Sequence, residues 1–186
     1  VIAISGDYYI FRQLGITVYQ RQLYRFAPKS VDSCFFTASG DMLFSRAGEM
    51  SSQEEAQQFI TDNDVTFAVA FGPVMVDNGQ LAEFGSYPIG ENNRTYSRTA
   101  IGQRDKLHYI LMTINYEDDH SVAATVSEAA EHIFSKGVVK AYALDGGQTS
   151  TMVMNGHTVN RPDWGNQRTQ SDIIYFATAL PEEVNP

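Results

Sequence analysis

The amino-acid sequence predicts an α+β fold with mixed, largely antiparallel sheets built from hairpins, together with two main helices. Two observations lead to this class: many short apolar runs are separated by turn residues, and two longer segments repeat apolar residues at helical spacing. With 186 residues and 43% hydrophobic content, the chain is long enough for one sizeable core but short for two. We therefore expect a single domain over residues 1–180 and a terminal tail over 181–186.

Strand signals dominate the first third of the chain. An initial apolar run is followed by two hairpins, and Gly40 supports the second hairpin because it supplies the positive backbone angle of a tight turn. The runs are 1–4, 16–19, 23–26, 35–38 and 42–44. A first helix is predicted after residue 50, where two serines can cap it and two glutamates complete a capping-box pattern. Ala56, Phe59 and Ile60 form its apolar stripe.

More strands are predicted in the middle of the chain, and Gly72-Pro73 stops the first of them. The pair Asn78-Gly79 between apolar runs is the strongest short hairpin signal that a sequence offers. The runs are 66–71, 74–76, 81–84, 99–101 and 109–115. Residues 85–97 are polar and rich in turn residues, which predicts a long loop.

The last third contains the second helix and the most apolar strand. Residues 121–135 have one apolar face, and Lys136-Gly137 closes the helix. The run 138–144 is almost uninterrupted, which predicts a central strand covered on both faces. A hairpin joining 151–154 to 157–159 and a final strand over 173–178 complete the prediction.

Charge and composition exclude several classes of function. The net charge of −9 argues against nucleic acid as a partner, because phosphate repels an acidic surface. The single cysteine, Cys34, allows no disulfide within the chain, and no run is long enough for a transmembrane helix. The four histidines make no metal-ligand spacing. We expect no cofactor. The acidic residues 117–119 could hold calcium, but the sequence shows no series of calcium ligands.

The first candidate for chemistry is Asp145-Gly146-Gly147, at the end of the predicted central strand. Glycines let the backbone approach a ligand closely and leave N–H groups to face an anion, and Ser150 and Thr151 can add hydroxyl donors. Such a turn suits a phosphate or a sugar. Because Asp-Gly-Gly is short, the pattern alone slightly favours an ordinary turn in which the aspartate caps its own backbone.

Two further segments carry residues of the same chemical types. Gly6-Asp7 follows the first strand, so that Asp7 and Asp145 would form a pair of strand-end carboxylates for acid/base work. Arg98 stands between the polar loop and a strand, where it could clamp a phosphate or carboxylate. Taken alone, each segment is better explained by a turn aspartate or by a solvated or ion-paired surface arginine.

Together these segments resemble the phosphodiester glycosidase family. The matching stretches occur in family order over nearly the whole chain: residues 5–8, 71–73, 98–102, 145–156, and Arg168 with 171–173. Ser5 and Gln148-Thr149 depart from the residues usual in the family.

The resemblance implies hydrolysis of a sugar-1-phosphodiester at the anomeric carbon, with an N-acetylglucosamine-like sugar released from a phosphorylated acceptor. It implies that Asp145, Asp7 and Arg98 are catalytic. It places the substrate against a further set of residues: Gly6, Gly72, Thr99, Gly146, Gly147, Ser150, Thr151 and Arg168. A cell-wall or exopolysaccharide sugar-phosphodiester enzyme on the same fold and a non-catalytic glycan-binding module are the alternatives. We expect an extracellular or cell-envelope domain of a longer exported protein.

Overall fold

The computed structural model describes residues 1–83, 87, 92–116 and 123–177, which form three sheets and two helices. In chain order the elements are β1 Ile2–Ser5, β2 Gly15–Tyr19, β3 Gln22–Ala27, β4 Ser33–Thr37, β5 Met42–Ser45, α1 Gln53–Asp62, β6 Val65–Val69, β7 Val74–Asp77, β8 Gln80–Leu81, β9 Arg98–Asp105, β10 His108–Ile114, α2 Val126–Phe134, β11 Lys140–Leu144, β12 Met152–Met154, β13 His157–Thr158 and β14 Ile173–Phe176. Every strand pairing within the described residues is antiparallel, and the predicted α+β class is confirmed.

The first sheet has the order β3-β2-β6-β4-β5 and is covered by α1. The helix begins where the sequence predicts it, because the Ser52 side chain accepts a hydrogen bond from the backbone N–H of Glu55. Ala56 and Ile60 on its inner face pack against Phe35 of β4. Removing these side chains from water is what holds the helix on the sheet.

The second sheet has the order β10-β9-β11-β7-β8 and is the centre of the molecule. Successive residues of β11 point into two different cores. Ala141 and Ala143 pack with α2 residues, whereas Tyr142 and Leu144 pack toward the opposite face. The predicted burial of this strand on both faces is therefore correct, and it fixes the position of Asp145, which follows directly.

The third sheet has the order β13-β12-β1-β14, so the first strand lies between strands that come much later in the chain. Ile4 pairs with Met152 on one side and with Ile174 on the other. This arrangement carries the segment after β1, which contains Gly6 and Asp7, to the strand end where Asp145 lies: the N–H of Asp145 donates to the Gly6 carbonyl at 2.9 Å.

Several element boundaries differ from the prediction, most clearly those of β9 and α2. Strand β9 runs to Asp105, beyond the predicted 99–101, because it pairs with β10 on one side and β11 on the other. Helix α2 begins at Val126, where Thr125 and Glu128 form a capping box. The prediction began this helix at residue 121, but residues 123–125 are not helical. Residues 85, 86 and 88–91 of the predicted 85–97 loop, the acidic residues 117–119 and the tail 181–186 lie outside the described residues.

Candidate active site

An open cleft of about 540 Å³ lies where β1 and β11 end and β9 begins. Its wall combines aromatic rings, three arginines, two carboxylates and the glycine turn. The lining residues are Tyr8, Phe11, Arg12, Phe71, Tyr96, Arg98, Asp145, Gly146, Gly147, Gln148, Asp163, Trp164 and Arg168. Of the residues singled out from the sequence, the structure therefore brings Asp145, Arg98, Gly146, Gly147 and Arg168 together in one wall.

Asp145 is the most perturbed carboxyl group in this wall. Its side chain is only 8% exposed, and burial raises its pKa to about 7. The Thr149 hydroxyl and the Arg168 charge oppose this rise, while the nearby charge of Asp7 adds to it. A carboxyl group that titrates near neutral pH can hold or release a proton under ordinary conditions, which is what acid/base catalysis requires.

Arg168 is the cation that faces Asp145. Its Nη2 atom lies 3.4 Å from Oδ2 of Asp145, and its side chain keeps 31% of its surface exposed. The guanidinium group lies over the rings of Tyr8 and Phe11, about 5.1 Å from each ring centre. These rings orient the guanidinium while leaving its edge open to the cleft.

Arg98 also lines the cleft, but its guanidinium group is held by the backbone. Nε donates to the carbonyl of Ala124 at 2.9 Å, and Nη2 donates to the carbonyl of Arg94 at 2.6 Å. The group also lies 5.4 Å from the ring centre of Tyr96. Arg98 thus ties the start of β9 to the segment that precedes α2, and its role as a phosphate clamp stays a prediction.

Asp7 lies behind the cleft wall and is 3% exposed. Its carboxylate accepts hydrogen bonds from the N–H groups of Ala70 at 2.7 Å and Tyr8 at 2.5 Å. Burial raises its pKa, and these two hydrogen bonds oppose the rise. Asp172 lies next to it, accepts from the N–H of Asp7 at 2.6 Å, and has a pKa raised by burial to about 6. Asp7 therefore affects the cleft in two ways. Its charge raises the pKa of Asp145, and its carboxylate holds the loop that carries Tyr8.

The two glycines of the turn are needed for space and for conformation. A methyl group on Gly146 would lie 2.7 Å from the carbonyl oxygen of Ser97, and Gly147 has a φ of +65°, which other residues rarely adopt. The N–H of Gly147 donates to that same Ser97 carbonyl at 2.8 Å. Contrary to our expectation, this N–H is therefore not directed at an anion, and the turn is locked onto the start of β9.

Replacing Gly146 with alanine is expected to lower both stability and activity. The methyl group must push the turn away from Ser97, at a cost on the order of 1–3 kcal/mol in the free energy of unfolding. Urea unfolding and turnover measurements would test this. Gly156→Ala is the matched control: Gly156 has a φ of +84° in a remote hairpin with open space around it, so we expect a stability loss with wild-type turnover. Equal turnover losses in the two variants would contradict the expectation.

Three predicted substrate ligands lie beneath the cleft instead of in its wall. The hydroxyls of Ser5, Thr99 and Ser150 form a buried chain with 3.0 Å between neighbours, which ends on the carbonyls of Asp145 and Arg98. Thr151 is also buried. These contacts make Thr99 and Ser150 supports that fix Asp145 relative to β9, and substrate contact by Thr99, Ser150 and Thr151 stays a prediction.

Gly6 and Gly72 likewise lie outside the cleft lining. The N–H of Gly6 donates to the Asp172 carbonyl at 3.3 Å, and the N–H of Gly72 donates to the Ala143 carbonyl at 3.2 Å. Gly72 precedes Pro73 through a cis peptide bond. Both glycines position segments that frame the cleft, and direct substrate contact by either also stays a prediction.

Sequence reasoning did not single out several side chains of the cleft, among them Arg12, Asp163 and Trp164. Arg12 donates to the carbonyls of Ala70 and Phe71, while Asp163 and Trp164 belong to a short 3-10 turn. The only available signal was compositional: Trp164 is the single tryptophan of the chain and stands in a polar segment, where burial cannot explain it.

A larger groove of about 900 Å³ lies elsewhere, between the first sheet and β14. Tyrosines dominate its exposed edge, with Tyr19, Tyr24 and Tyr175 each more than half exposed. This groove is larger, but the smaller cleft is the better candidate for an active site. There the carboxyl group of Asp145, with a pKa of about 7, directly faces an arginine.

Within the described ranges, no cluster of three or more histidine, cysteine or acidic side chains is arranged to hold a metal ion. A search of the same ranges finds no helix with the length and apolar character needed to cross a membrane.

The cleft joins a buried carboxyl group with arginines and aromatic rings, and comparison with known families identifies the family. Residues 1–177 match the family model described as phosphodiester glycosidase. The chain therefore belongs to the phosphodiester glycosidase family, and the predicted resemblance is confirmed.

Solved structures support the same fold. The catalytic domain of zebrafish N-acetylglucosamine-1-phosphodiester alpha-N-acetylglucosaminidase, auto-inhibited by pro-peptide, matches with a TM-score of 0.71 and 20% identity, over 92% of this chain and 61% of that chain. A hypothetical protein from Synechocystis matches with a TM-score of 0.54 and 13% identity, over 91% of this chain and 50% of that one.

One curated relative is the SPbeta prophage-derived uncharacterized protein YomE of Bacillus subtilis (strain 168). It is 23% identical over 164 residues, which cover 87% of this chain. The matched region spans only 25% of YomE, so YomE is much longer than the part of it that this chain matches.

Proposed function

We propose that this chain is a hydrolase that cleaves sugar-1-phosphodiesters between the anomeric carbon and the phosphate oxygen. The observation that carries the proposal is Asp145, a buried carboxyl group with a pKa of about 7 that faces Arg168 in an open cleft. Family membership supports the reaction class. The activity for which the zebrafish neighbour is named favours an N-acetylglucosamine-like sugar and a phosphorylated acceptor.

The leaving group determines what the site has to provide. When the bond from the anomeric carbon to oxygen breaks, its electron pair stays on the oxygen of a phosphomonoester, which already carries stabilised negative charge. A strong general acid is therefore less necessary than a positive group beside the departing oxygens. Arg168, which is partly exposed and oriented by two rings, supplies that charge, with Arg98 and Arg12 in the same wall.

Asp145 acts on the carbon side of the bond in its ionised form. It either removes a proton from the water whose oxygen adds to the anomeric carbon, or adds to that carbon itself before water releases the sugar. Asp7 contributes from behind the wall, since its charge raises the pKa of Asp145 and its hydrogen bonds hold the loop that carries Tyr8. In both routes water supplies the new anomeric hydroxyl group.

The pH dependence of kcat/KM should report the carboxyl group of Asp145 directly. Because the active form is ionised and the pKa is about 7, kcat/KM is expected to rise with pH and level off above that value. At pH 5 the value should be about 100-fold below the plateau, since a single group follows one decade per pH unit. Buffers from pH 5 to 9 with a sugar-1-phosphodiester would provide the profile. A profile that falls as pH rises through 7 would assign Asp145 as a proton donor.

Hydrolysis in ¹⁸O-labelled water tests which bond is cleaved. The proposal requires the label in the released sugar and none in the phosphomonoester. Label in the phosphate would mean attack at phosphorus, as in an ordinary phosphodiesterase, and would contradict the proposal. A panel of small sugar-1-phosphodiesters and cell-wall polymers in the same assay separates a small substrate from an envelope polysaccharide. For either substrate we propose an extracellular or cell-envelope site of action.

A further inference from the structure

We propose that the turn formed by Asp163, Trp164 and Gly165 is the sugar-recognition element of the cleft, with the Trp164 ring stacked against the apolar face of a sugar and Asp163 accepting one of its hydroxyls. This inference rests on the proposed function, because it names the part of the same cleft that selects the substrate.

Trp164 breaks two local rules at once. Its φ of +56° is a backbone conformation that bulky residues rarely adopt, and its side chain is 59% exposed although tryptophan is one of the most apolar residues. Strain of this kind persists where the surrounding structure enforces it, and it concentrates at ligand sites. The ring of Tyr116 lies 6.2 Å from the indole between centres, and the exposed Trp164 is one of the residues that line the cleft.

The turn is fixed from beneath, which makes the ring a prearranged surface. Oδ1 of Asp163 accepts the backbone N–H of Ser97 at 2.8 Å, and the N–H of Gly165 donates to the Pro162 carbonyl at 3.0 Å. The side-chain amide of Asn166 donates to the Trp164 carbonyl at 3.2 Å. Because Ser97 also binds Gly147, the aromatic turn and the Asp145 turn are attached to the same residue.

The second carboxylate oxygen of Asp163 could accept a hydrogen bond from a ligand. Asp163 is fully buried, and Oδ2 has no hydrogen-bond donor within the described residues. It faces the turn, since a methyl group on Gly147 would lie 3.4 Å from it, and Asp163 lines the cleft. A buried carboxylate oxygen without a donor is unfavourable, and a hydroxyl group from a ligand would satisfy it.

The cleft has two parts that suit different chemical groups of a substrate. The aromatic ring and the acceptor lie on the Asp163 side, where they suit the C–H face and the hydroxyls of a pyranose. The positive group, Arg168, lies beside Asp145, where it suits the phosphate. A sugar phosphate would therefore lie with its ring on Trp164 and its phosphate toward Arg168, which places the anomeric carbon between them.

Trp164 is the chain's only tryptophan, so its fluorescence reports on this site alone. With excitation that avoids tyrosine, titration of the wild-type chain with N-acetylglucosamine 1-phosphate or glucose 1-phosphate should give a saturable change in emission. Inorganic phosphate should give no comparable change, because it does not reach the ring. A response to phosphate as large as the response to sugar phosphate, or no response to either sugar phosphate, would overturn the inference.

Variants at this position separate recognition from folding. Trp164→Gly removes the ring and relieves the positive φ, so its thermal midpoint should stay within about 5 °C of wild type. Calorimetric affinity for the sugar 1-phosphates should fall about tenfold or more, while Trp164→Phe, which keeps a ring, should lose less. Tyr175→Ala is the matched control, since Tyr175 is 63% exposed outside the cleft and its loss should leave the affinity unchanged.

Failure of this inference and failure of the proposed function are distinguishable. Binding measured by fluorescence and calorimetry does not depend on turnover. If the wild-type chain binds sugar 1-phosphates through Trp164 but releases no sugar from any diester, the proposed hydrolysis is wrong and the recognition element stands. If it hydrolyses diesters and Trp164→Gly keeps the wild-type KM and affinity, the recognition element is wrong and the hydrolysis stands.

Discussion

Replacing Asp145 with asparagine is expected to lower kcat on sugar-1-phosphodiesters by about 10³-fold while leaving the chain at least as stable as wild type at pH 8. The amide keeps the shape of the side chain but can neither accept a proton nor attack the anomeric carbon. Loss of activity without loss of stability is the result that distinguishes a catalytic carboxylate from a structural one.

The stability part of this expectation follows from the pKa of Asp145. Its ordinary value is 3.8 and burial raises it to about 7, so between these values the unfolded chain loses a proton that the folded chain keeps. Folding therefore becomes less favourable as pH rises from 4 to 7, by up to roughly 4 kcal/mol at about 1.4 kcal/mol per pKa unit. An asparagine side chain cannot ionise, so the Asp145→Asn variant should escape this loss above pH 7.

Urea unfolding at pH 5 and pH 8, together with kcat at both values, would measure these effects. Asp64→Asn is the matched control: Asp64 is an exposed partner of Arg21 far from the cleft, and its loss should change neither turnover nor the pH dependence. Near wild-type turnover in Asp145→Asn would end the assignment of Asp145 as catalytic. A large fall in stability at pH 8 would instead make it a structural aspartate.

The second large effect is expected at Arg168. Alanine at this position should reduce kcat/KM for phosphodiester substrates by about 10²–10³-fold, because it removes the positive charge beside the leaving group. Lysine should recover part of the rate, since it restores the charge without the planar group that lies over Tyr8 and Phe11. Aryl glycosides without phosphate should lose much less.

The pH profile provides a readout that lost binding alone would not change. The Arg168 charge lowers the pKa of Asp145, so its removal should move the rising limb of the profile to values above 7. Arg21→Ala, at an exposed arginine outside the cleft, should leave both rate and profile unchanged. Equal losses on phosphodiesters and aryl glycosides, with an unmoved profile, would contradict the phosphate-binding role of Arg168.

Local sequence patterns were enough to locate the centre of this site. The apolar run that became β11 ends at Asp145, and the two glycines after it indicate a turn that must pack closely, which the contact with Ser97 confirms. Alternation of apolar and polar residues and helical spacing are also local signals, so the sequence alone identified the hairpins and the helices.

What the sequence did not reveal depends on contacts between distant segments. Arg98 was placed correctly at the cleft, but its bonds to the carbonyls of Arg94 and Ala124 are invisible before the loops are folded. Ser150 was a candidate because a hydroxyl group can bind a sugar or phosphate, and Thr99 because of the family resemblance; the hydrogen bond that joins them in the interior could not be read from the sequence. The turn at Asp163 and Trp164 is tied to the start of β9 by its bond to Ser97, 66 residues away.

The position of β1 between β12 and β14 has a consequence for how the protein is made. Ile4 pairs with Met152 and Ile174, so β1 cannot be paired on both sides until both later strands have been synthesised. The loop after β1 carries Asp7 and Tyr8 to the cleft, and the Asp145 turn is fastened to it. Pairings so far apart in sequence form late and slowly. The candidate cleft is therefore fully framed only after β14 has joined β1 and the third sheet has closed.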